Sequence, residues 1–211
     1  MIRTLACCGL ALCALGAAES TIRDLTFDIE VLPAKFDYEL SSEEVNASAS
    51  DSFDQAIGLA LGGRFGWNFP GSPHSLVTGA QLTYGAYTYD PSSSDYTTYG
   101  LRGTAGYGYA IADQWTLLAE FLLEYGMAEF NFGSSDAIDG FSVDGDYYRV
   151  GAEVRGVYEI SDSWLANAHL GYLMGTSDLT GSGRDLTIDH TGPLFGIGIS
   201  YRWSAAPTRL E

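Results

Sequence analysis

Tyr109-Ala110-Ile111-Ala112-Asp113-Gln114-Trp115 and Tyr158-Glu159-Ile160-Ser161-Asp162-Ser163-Trp164 are two copies of one pattern, set 49 residues apart. Each carries a tyrosine, a β-branched isoleucine, a three-residue turn and a tryptophan. A tight turn between aromatic, alternating segments predicts a β-hairpin. The rings add a second meaning, because amphipathic Trp and Tyr side chains collect where hydrocarbon meets water.

Working outward from the two turns, the chain alternates with period two, the mark of a strand with two unlike faces. Residues 96–111 and 115–132 flank the first turn; residues 147–160 and 164–174 flank the second. A helix is the rival for 115–127, which is rich in Leu, Ala and Glu, but the two-residue period holds there as in its neighbours. Further alternating segments cover 53–69, 76–89 and 194–203. The earliest, 25–40, changes phase near Pro33: Phe27, Ile29 and Val31 share one face, then Phe36, Tyr38 and Leu40 take the other. A proline at such a change points to a bulge or a division of the strand.

Eight strands result, joined alternately by short connections (70–75, 112–114, 161–163) and long or polar ones (41–52, 90–95, 133–146 and 176–190, the last read as a loop or as a strand extended beyond the core). An all-β, eight-stranded antiparallel up-and-down barrel has this plan, with tight turns at one rim and loops at the other. One face of every strand is large and aromatic. The other is mostly glycine, alanine, serine and threonine. Eight strands enclose just enough room for small side chains, so the glycine-rich face belongs inside and the aromatic face in lipid. The barrel is therefore expected to be transmembrane. A soluble lipocalin-like carrier is the alternative, and it would need the faces reversed.

The four tryptophans, Trp67, Trp115, Trp164 and Trp203, all fall beside the short-turn rim. With Phe69, Tyr109, Tyr158 and Tyr201 they are expected to form a periplasmic aromatic girdle. The inward positions carry Arg64, Arg102, Glu120, Glu124, Arg149, Glu153, Arg155, His169 and Arg202. Counting outward from Asp113 and Asp162 puts Arg102 opposite Glu124 and Arg155 opposite His169. Buried charges are costly unless paired, so these residues are read as a polar core that fills the lumen; a narrow ion path or small-ligand passage is the alternative.

The chain has 211 residues and a net charge of −17, which leaves no basic surface for a nucleic acid. Residues 1–18 read as a cleaved secretory signal: Arg3, an apolar run, then Gly16-Ala17-Ala18. Cys7, Cys8 and Cys13 all lie within it, so neither disulfides nor thiolate metal sites are expected in the remainder. Residues 19–203 are assigned to the barrel and 204–211 to a short polar tail.

The chain resembles the small outer-membrane β-barrels of Gram-negative bacteria, the OmpA, OmpX and opacity-protein type. The segment Gly198-Ile199-Ser200-Tyr201-Arg202-Trp203 carries the resemblance most sharply, as a glycine followed by alternate aromatics. It looks like the C-terminal signal read by the barrel-assembly machinery, although this chain continues to Glu211 and has Gly196 where a polar residue is common. The resemblance implies outer-membrane localisation, contact with membrane lipid and lipopolysaccharide, a monomer, and no cofactor. Catalysis is not expected. His169-Leu170-Gly171 and His190-Thr191-Gly192 lack the serine of a deacylase pair, and the adjacent Asp189 and His190 point to opposite faces, with His190 read as a loop-edge residue. Asp136, Asp139, Asp144 and Asp146 cluster in one stretch, and oxygen ligands suit calcium or magnesium. No EF-hand spacing is present, so no metal is expected and the stretch is read as a solvated acidic loop that could serve adhesion.

Overall fold

A computed structural model of the chain describes residues 19–42, 46–89, 94–133, 140–181 and 183–203. The leader 1–18, the tail 204–211, Asp136 and Asp139 lie outside the described residues. All ten strands are antiparallel: β1 (Glu19–Val31), β2 (Lys35–Ser42), β3 (Asn46–Ser52), β4 (Gln55–Asn68), β5 (His74–Tyr89), β6 (Ser94–Ala112), β7 (Trp115–Phe132), β8 (Phe141–Glu159), β9 (Trp164–Gly181) and β10 (Arg184–Arg202). Eight of them, β1 and β4 to β10, form the ring in chain order, and β1 pairs with β10 to close it. β2 and β3 form a hairpin that lengthens the ring at one end, with β2 pairing the outer half of β10.

Register explains the change of pattern at Pro33. Val31 faces Phe195 on β10 and Phe36 faces His190, so both chains advance equally and the alternation runs straight through the break. The extra residue lies on the other neighbour. Val31 faces Ile57 but Lys35 faces Ser52, which puts the bulge at Phe53 and Asp54, not at Pro33. From Asp24 on, the even-numbered residues of β1 and β2 point inward. What changes is their chemistry: Asp24, Asp28 and Glu30 are buried below the break, Leu32 and Phe36 above it.

β8, β9 and β10 make the same exchange. In its lower part, β8 turns Tyr148 and Val154 outward and buries Arg149, Glu153 and Arg155. In its upper part it buries Val143 and Tyr147 and exposes Asp144 and Asp146. β9 buries Leu179 while exposing Asp178 and Thr180, and β10 buries Leu186 and Ile188 while exposing Asp185 and Asp189. The lower barrel is thus polar inside and apolar outside, and the upper barrel is the reverse. This inversion corrects two stretches that the sequence suggests are loops, 41–52 and 133–146, and decides for strand in 176–190. Among the described residues, 41–42, 46–52, 141–146, 176–181 and 184–190 are strand, because outward acidic residues there mark strands standing in water above the lipid. β9 and β10 meet in a tight turn that holds Gly183 at φ 72°, a backbone conformation suited to glycine.

Two rings of aromatic side chains bound the apolar outer band. At the lower rim Trp115 packs on Tyr158 with ring centroids 4.9 Å apart, and Trp164 on Tyr201 at 5.2 Å. At the upper limit stand Tyr84, Tyr99, Tyr125, Tyr148 and Tyr172, all exposed, with Tyr84 and Tyr99 6.0 Å apart. Trp115 and Tyr125 on β7 are ten residues apart, as are Tyr148 and Tyr158 on β8. A tilted strand crosses a hydrocarbon core in about 9–11 residues, so the two rings mark the two membrane boundaries. Exposed Leu59, Leu82, Leu101, Phe121 and Ile197 lie between them. This is the outside of a transmembrane barrel; a soluble carrier would bury this band.

Phe121 sits midway between the two rings. Phe121→Arg is expected to lower unfolding free energy in lipid vesicles by about 2–4 kcal/mol, the cost of a cation at mid-membrane. Asn131→Arg, on the same strand but above the upper ring, is expected to stay within about 0.5 kcal/mol. Equal effects would contradict the assigned boundaries.

Candidate functional site

Strand alternation aims the inward side chains of the lower barrel at one axis, and their charges are arranged in tiers. Next to the short turns, Arg202 is 3.0 Å from Asp24 and also pairs with Glu159. Higher up, Arg155 on β8 contacts Asp28 at 3.0 Å, Glu153 at 2.8 Å and Glu120 at 3.5 Å, and donates to Asn167. Arg64 on β4 lies 3.1 Å from Glu120 and 3.6 Å from Glu153. In the top tier the Arg102 guanidinium grips both oxygens of Glu30, at 2.5 and 2.9 Å, while its Nε donates to Glu124 at 2.8 Å. Arg149 completes that tier, 3.2 Å from Glu124, with its Nε donating to His190 at 2.8 Å. His169 stands 3.4 Å from Glu30.

Several of these contacts cross the lumen. Going round the ring, β1 and β6 are three strands apart, as are β4 and β7, and β8 and β1. Adjacent strands are separated by about 4.8 Å, so Glu30–Arg102, Arg64–Glu120 and Arg155–Asp28 are ties between walls, not neighbouring side chains on one wall. Desolvating such ions costs several kcal/mol each, and only close pairing offsets it. The arrangement meets that condition: each of the five arginines has at least one carboxylate within 3.2 Å.

All nine inward residues expected from sequence do point into the lumen. Arg102 faces Glu124 directly across the β6–β7 ladder, and Arg155 faces His169 across β8–β9. Sequence reasoning missed four buried members, besides the half-buried Glu159 that pairs with Arg202. Asp28 and Glu30 supply two of the three cross-lumen anions and Asp24 answers Arg202 on the adjacent strand; their signal was available in the same alternation that puts Phe27, Ile29 and Val31 outside. The fourth is His190. It is no loop-edge residue but 1% exposed, inside β10. The upper barrel is strand, so an even-numbered residue of β10 must face inward there. Its neighbour Asp189 is exposed and accepts a hydrogen bond from Thr176, which keeps the pair on opposite faces.

Above the charges lies an apolar tier: Leu32, Phe36, Phe53, Tyr87, Tyr96, Phe130, Leu179, Leu186 and Ile188 among others. Phe36 stacks on Phe53 with centroids 4.2 Å apart, and Phe53 on Tyr96 at 5.8 Å. Tyrosines join the two tiers. Tyr147 donates to Glu124 at 2.8 Å and lies under the Arg149 guanidinium, 4.6 Å from ring centre to Cζ.

Trp67, Trp115, Trp164 and Trp203 all stand at the short-turn rim, where Phe69, Tyr109, Tyr158 and Tyr201 accompany them. His74 also belongs to this girdle, hydrogen-bonded to Tyr107 and packed on Tyr109 at 5.2 Å. Of the four aspartates in the acidic stretch, Asp144 and Asp146 are on β8, and both side chains face outward above the upper ring. Among the described residues, no group of three or more potential metal ligands converges.

Comparison with solved structures finds similar chains. OprG, an outer membrane protein from Pseudomonas aeruginosa, superposes over 89% of this chain and 98% of its own with a TM-score of 0.57, at 13% identity. The outer membrane protease OmpT from Escherichia coli aligns over 86% of this chain and 97% of its own, at 9% identity and a TM-score of 0.48. Neisserial surface protein A covers 86% and 97%, at 13% identity and a TM-score of 0.45. No protein-family model matches the chain, and no curated protein matches it in sequence. The likeness to OprG shows the fold, that of the small outer-membrane β-barrels.

Proposed function

We propose that the chain is an outer-membrane barrel with a closed lumen, acting as a structural element or through the surfaces it presents to lipid and to the cell exterior. Export under the leader 1–18 and insertion by the barrel-assembly machinery belong to this reading, with the short turns on the periplasmic side. No catalytic role is assigned. The observation that carries the reading is the set of ion pairs joining opposite walls, Glu30–Arg102 above all. A conduit needs a continuous polar path, whereas here guanidiniums and carboxylates occupy the axis of the lower barrel and packed rings occupy the upper. The outward-facing acidic side chains of the upper barrel, such as Asp144, Asp146, Asp178 and Asp189, would then be what the cell exterior meets, with lipopolysaccharide held through divalent cations as one such contact.

Conductance tests this. The purified barrel in planar lipid bilayers is expected to give no discrete current steps above the bare-membrane baseline. Regular single-channel steps from the wild type, enlarged by Glu124→Gln, would replace the closed barrel with a gated ion path.

A further inference from the structure

On the outer surface of the β1–β4 seam, level with the tryptophans, there is a hollow of about 360 Å³ bordered by Arg23, Gly63, Phe65, Trp67 and Trp203. Register builds it. Arg23 is opposite Phe65 on β4, and the Trp203 N–H donates to the Arg23 carbonyl at 3.2 Å, so an aromatic residue flanks the arginine on each neighbouring strand. One step toward mid-membrane, Leu25 is opposite Gly63. A side chain at Gly63 would point outward and meet nothing nearer than 3.9 Å. The glycine therefore leaves a slot in the outer wall between Leu25 and Phe65.

Arg23 is unusual for this chain. The protein carries 10 basic residues against 27 acidic ones. Among the described residues, Arg64, Arg102, Arg149 and Arg155 are buried in the lumen, Arg202 points into its lower end, and Lys35 and Arg184 stand at the upper end. Arg23 alone is exposed on the membrane-facing side at the lower ring, and it forms no ion pair among the described residues. The adjacent Asp24 points inward and is occupied by Arg202. A guanidinium presents parallel donors that match two oxygens of a phosphate, and indole rings favour the zone of glycerol esters and headgroups.

We propose that this hollow binds one anionic glycerophospholipid of the periplasmic leaflet. Its phosphodiester sits on Arg23, its glycerol region against Trp67 and Trp203, and an acyl chain in the slot over Gly63 between Leu25 and Phe65. The proposal rests on the membrane-spanning reading and is independent of whether the lumen conducts.

The test uses the full barrel refolded in vesicles of equal phosphatidylglycerol and phosphatidylcholine, extracted into detergent and weighed intact by native mass spectrometry. One phosphatidylglycerol per barrel is expected to survive extraction, with phosphatidylcholine retained at least tenfold less. Arg23→Gln is expected to reduce phosphatidylglycerol retention at least tenfold, and Arg23→Lys by less. Gly63→Leu, which fills the slot and leaves the cation in place, is expected to reduce it as well. Heat-dependent gel mobility identifies the folded fraction of each variant, and only that fraction is scored. Wild type that retains no phosphatidylglycerol, or Arg23→Gln that retains as much as wild type, overturns the site. A barrel that fails to enter vesicles at all overturns the membrane-spanning reading beneath it.

Discussion

Replacing Arg102 with methionine is expected to cost about 3–5 kcal/mol of unfolding free energy, the range for removing one partner of a buried ion pair. The size follows from what is left behind. Arg102 is 1% exposed, and its guanidinium satisfies Glu30 through two contacts and Glu124 through a third. Without it Glu124 keeps Arg149 and Tyr147, but Glu30 retains only His169, at 3.4 Å. A carboxylate inside a lipid-encircled wall has no bulk water to turn to. Methionine fills much of the volume, so the loss is one of charge balance and not of packing. Adding Glu30→Gln to Arg102→Met is expected to recover part of the loss, because it removes the stranded charge. Urea unfolding in vesicles, followed by tryptophan fluorescence, measures both. A loss below about 1 kcal/mol for the single variant, ordinary for an arbitrary substitution, would mean that the top tier does not brace the barrel.

Gly126→Ala is expected to be the second severe change, although it adds a single methyl group. Gly126 faces inward on β7 directly opposite Gly100 on β6. A Cβ at Gly126 would lie 2.0 Å from the Tyr99 carbonyl oxygen, 2.5 Å from Gly100 Cα and 2.8 Å from the Tyr147 ring. Two of these three are backbone atoms of the neighbouring strand, so relief requires the β6–β7 ladder to part. Overpacking of this kind costs about 1–3 kcal/mol. Pushing the Tyr147 ring aside also breaks its hydrogen bond to ionised Glu124, worth about 1.5–3 kcal/mol. Gly103→Ala on β6 is the control. Its Cβ would point outward with nothing nearer than 3.9 Å, and it is expected to shift stability by less than about 0.5 kcal/mol. Matching unfolding curves for the two variants would refute the close approach.

The lower barrel is legible in sequence because it has one rule. Lipid demands a continuous apolar outer face, so alternation in Leu101–Tyr109 or Phe121–Tyr125 is clean. The inward arginines and glutamates of β6 to β9 then follow by counting. The upper barrel obeys the opposite rule, and a search for apolar residues at outward positions finds Asp144, Asp178 and Asp189 there. Those strands therefore look like acidic loops, and His190 looks exposed. The change at Pro33 is visible in sequence, but alternation alone cannot distinguish a chain that shifts register from one whose environment changes. Only pairing with β10 settles that Phe36 and Glu30 share a face. The partners across the lumen are illegible for a different reason. Glu30 and Arg102 are 72 residues apart, and the height of each on its own wall depends on shear around the ring, which no local pattern records.

The position of β1 has a consequence for how long the barrel lasts. Its carboxylates Asp24, Asp28 and Glu30 answer guanidiniums carried by β10, β8 and β6, and β1 is also the strand that closes the ring. Separating β1 from β10 therefore strips several ion pairs in the same motion that breaks the ladder. The remaining seven-stranded sheet keeps its arginines without those anions, in an environment with little water to accept them. Such a seam resists the first step of opening more than any one contact suggests. Survival in the membrane then becomes a matter of rate, governed by the escape barrier, and not only of the equilibrium between folded and unfolded chains.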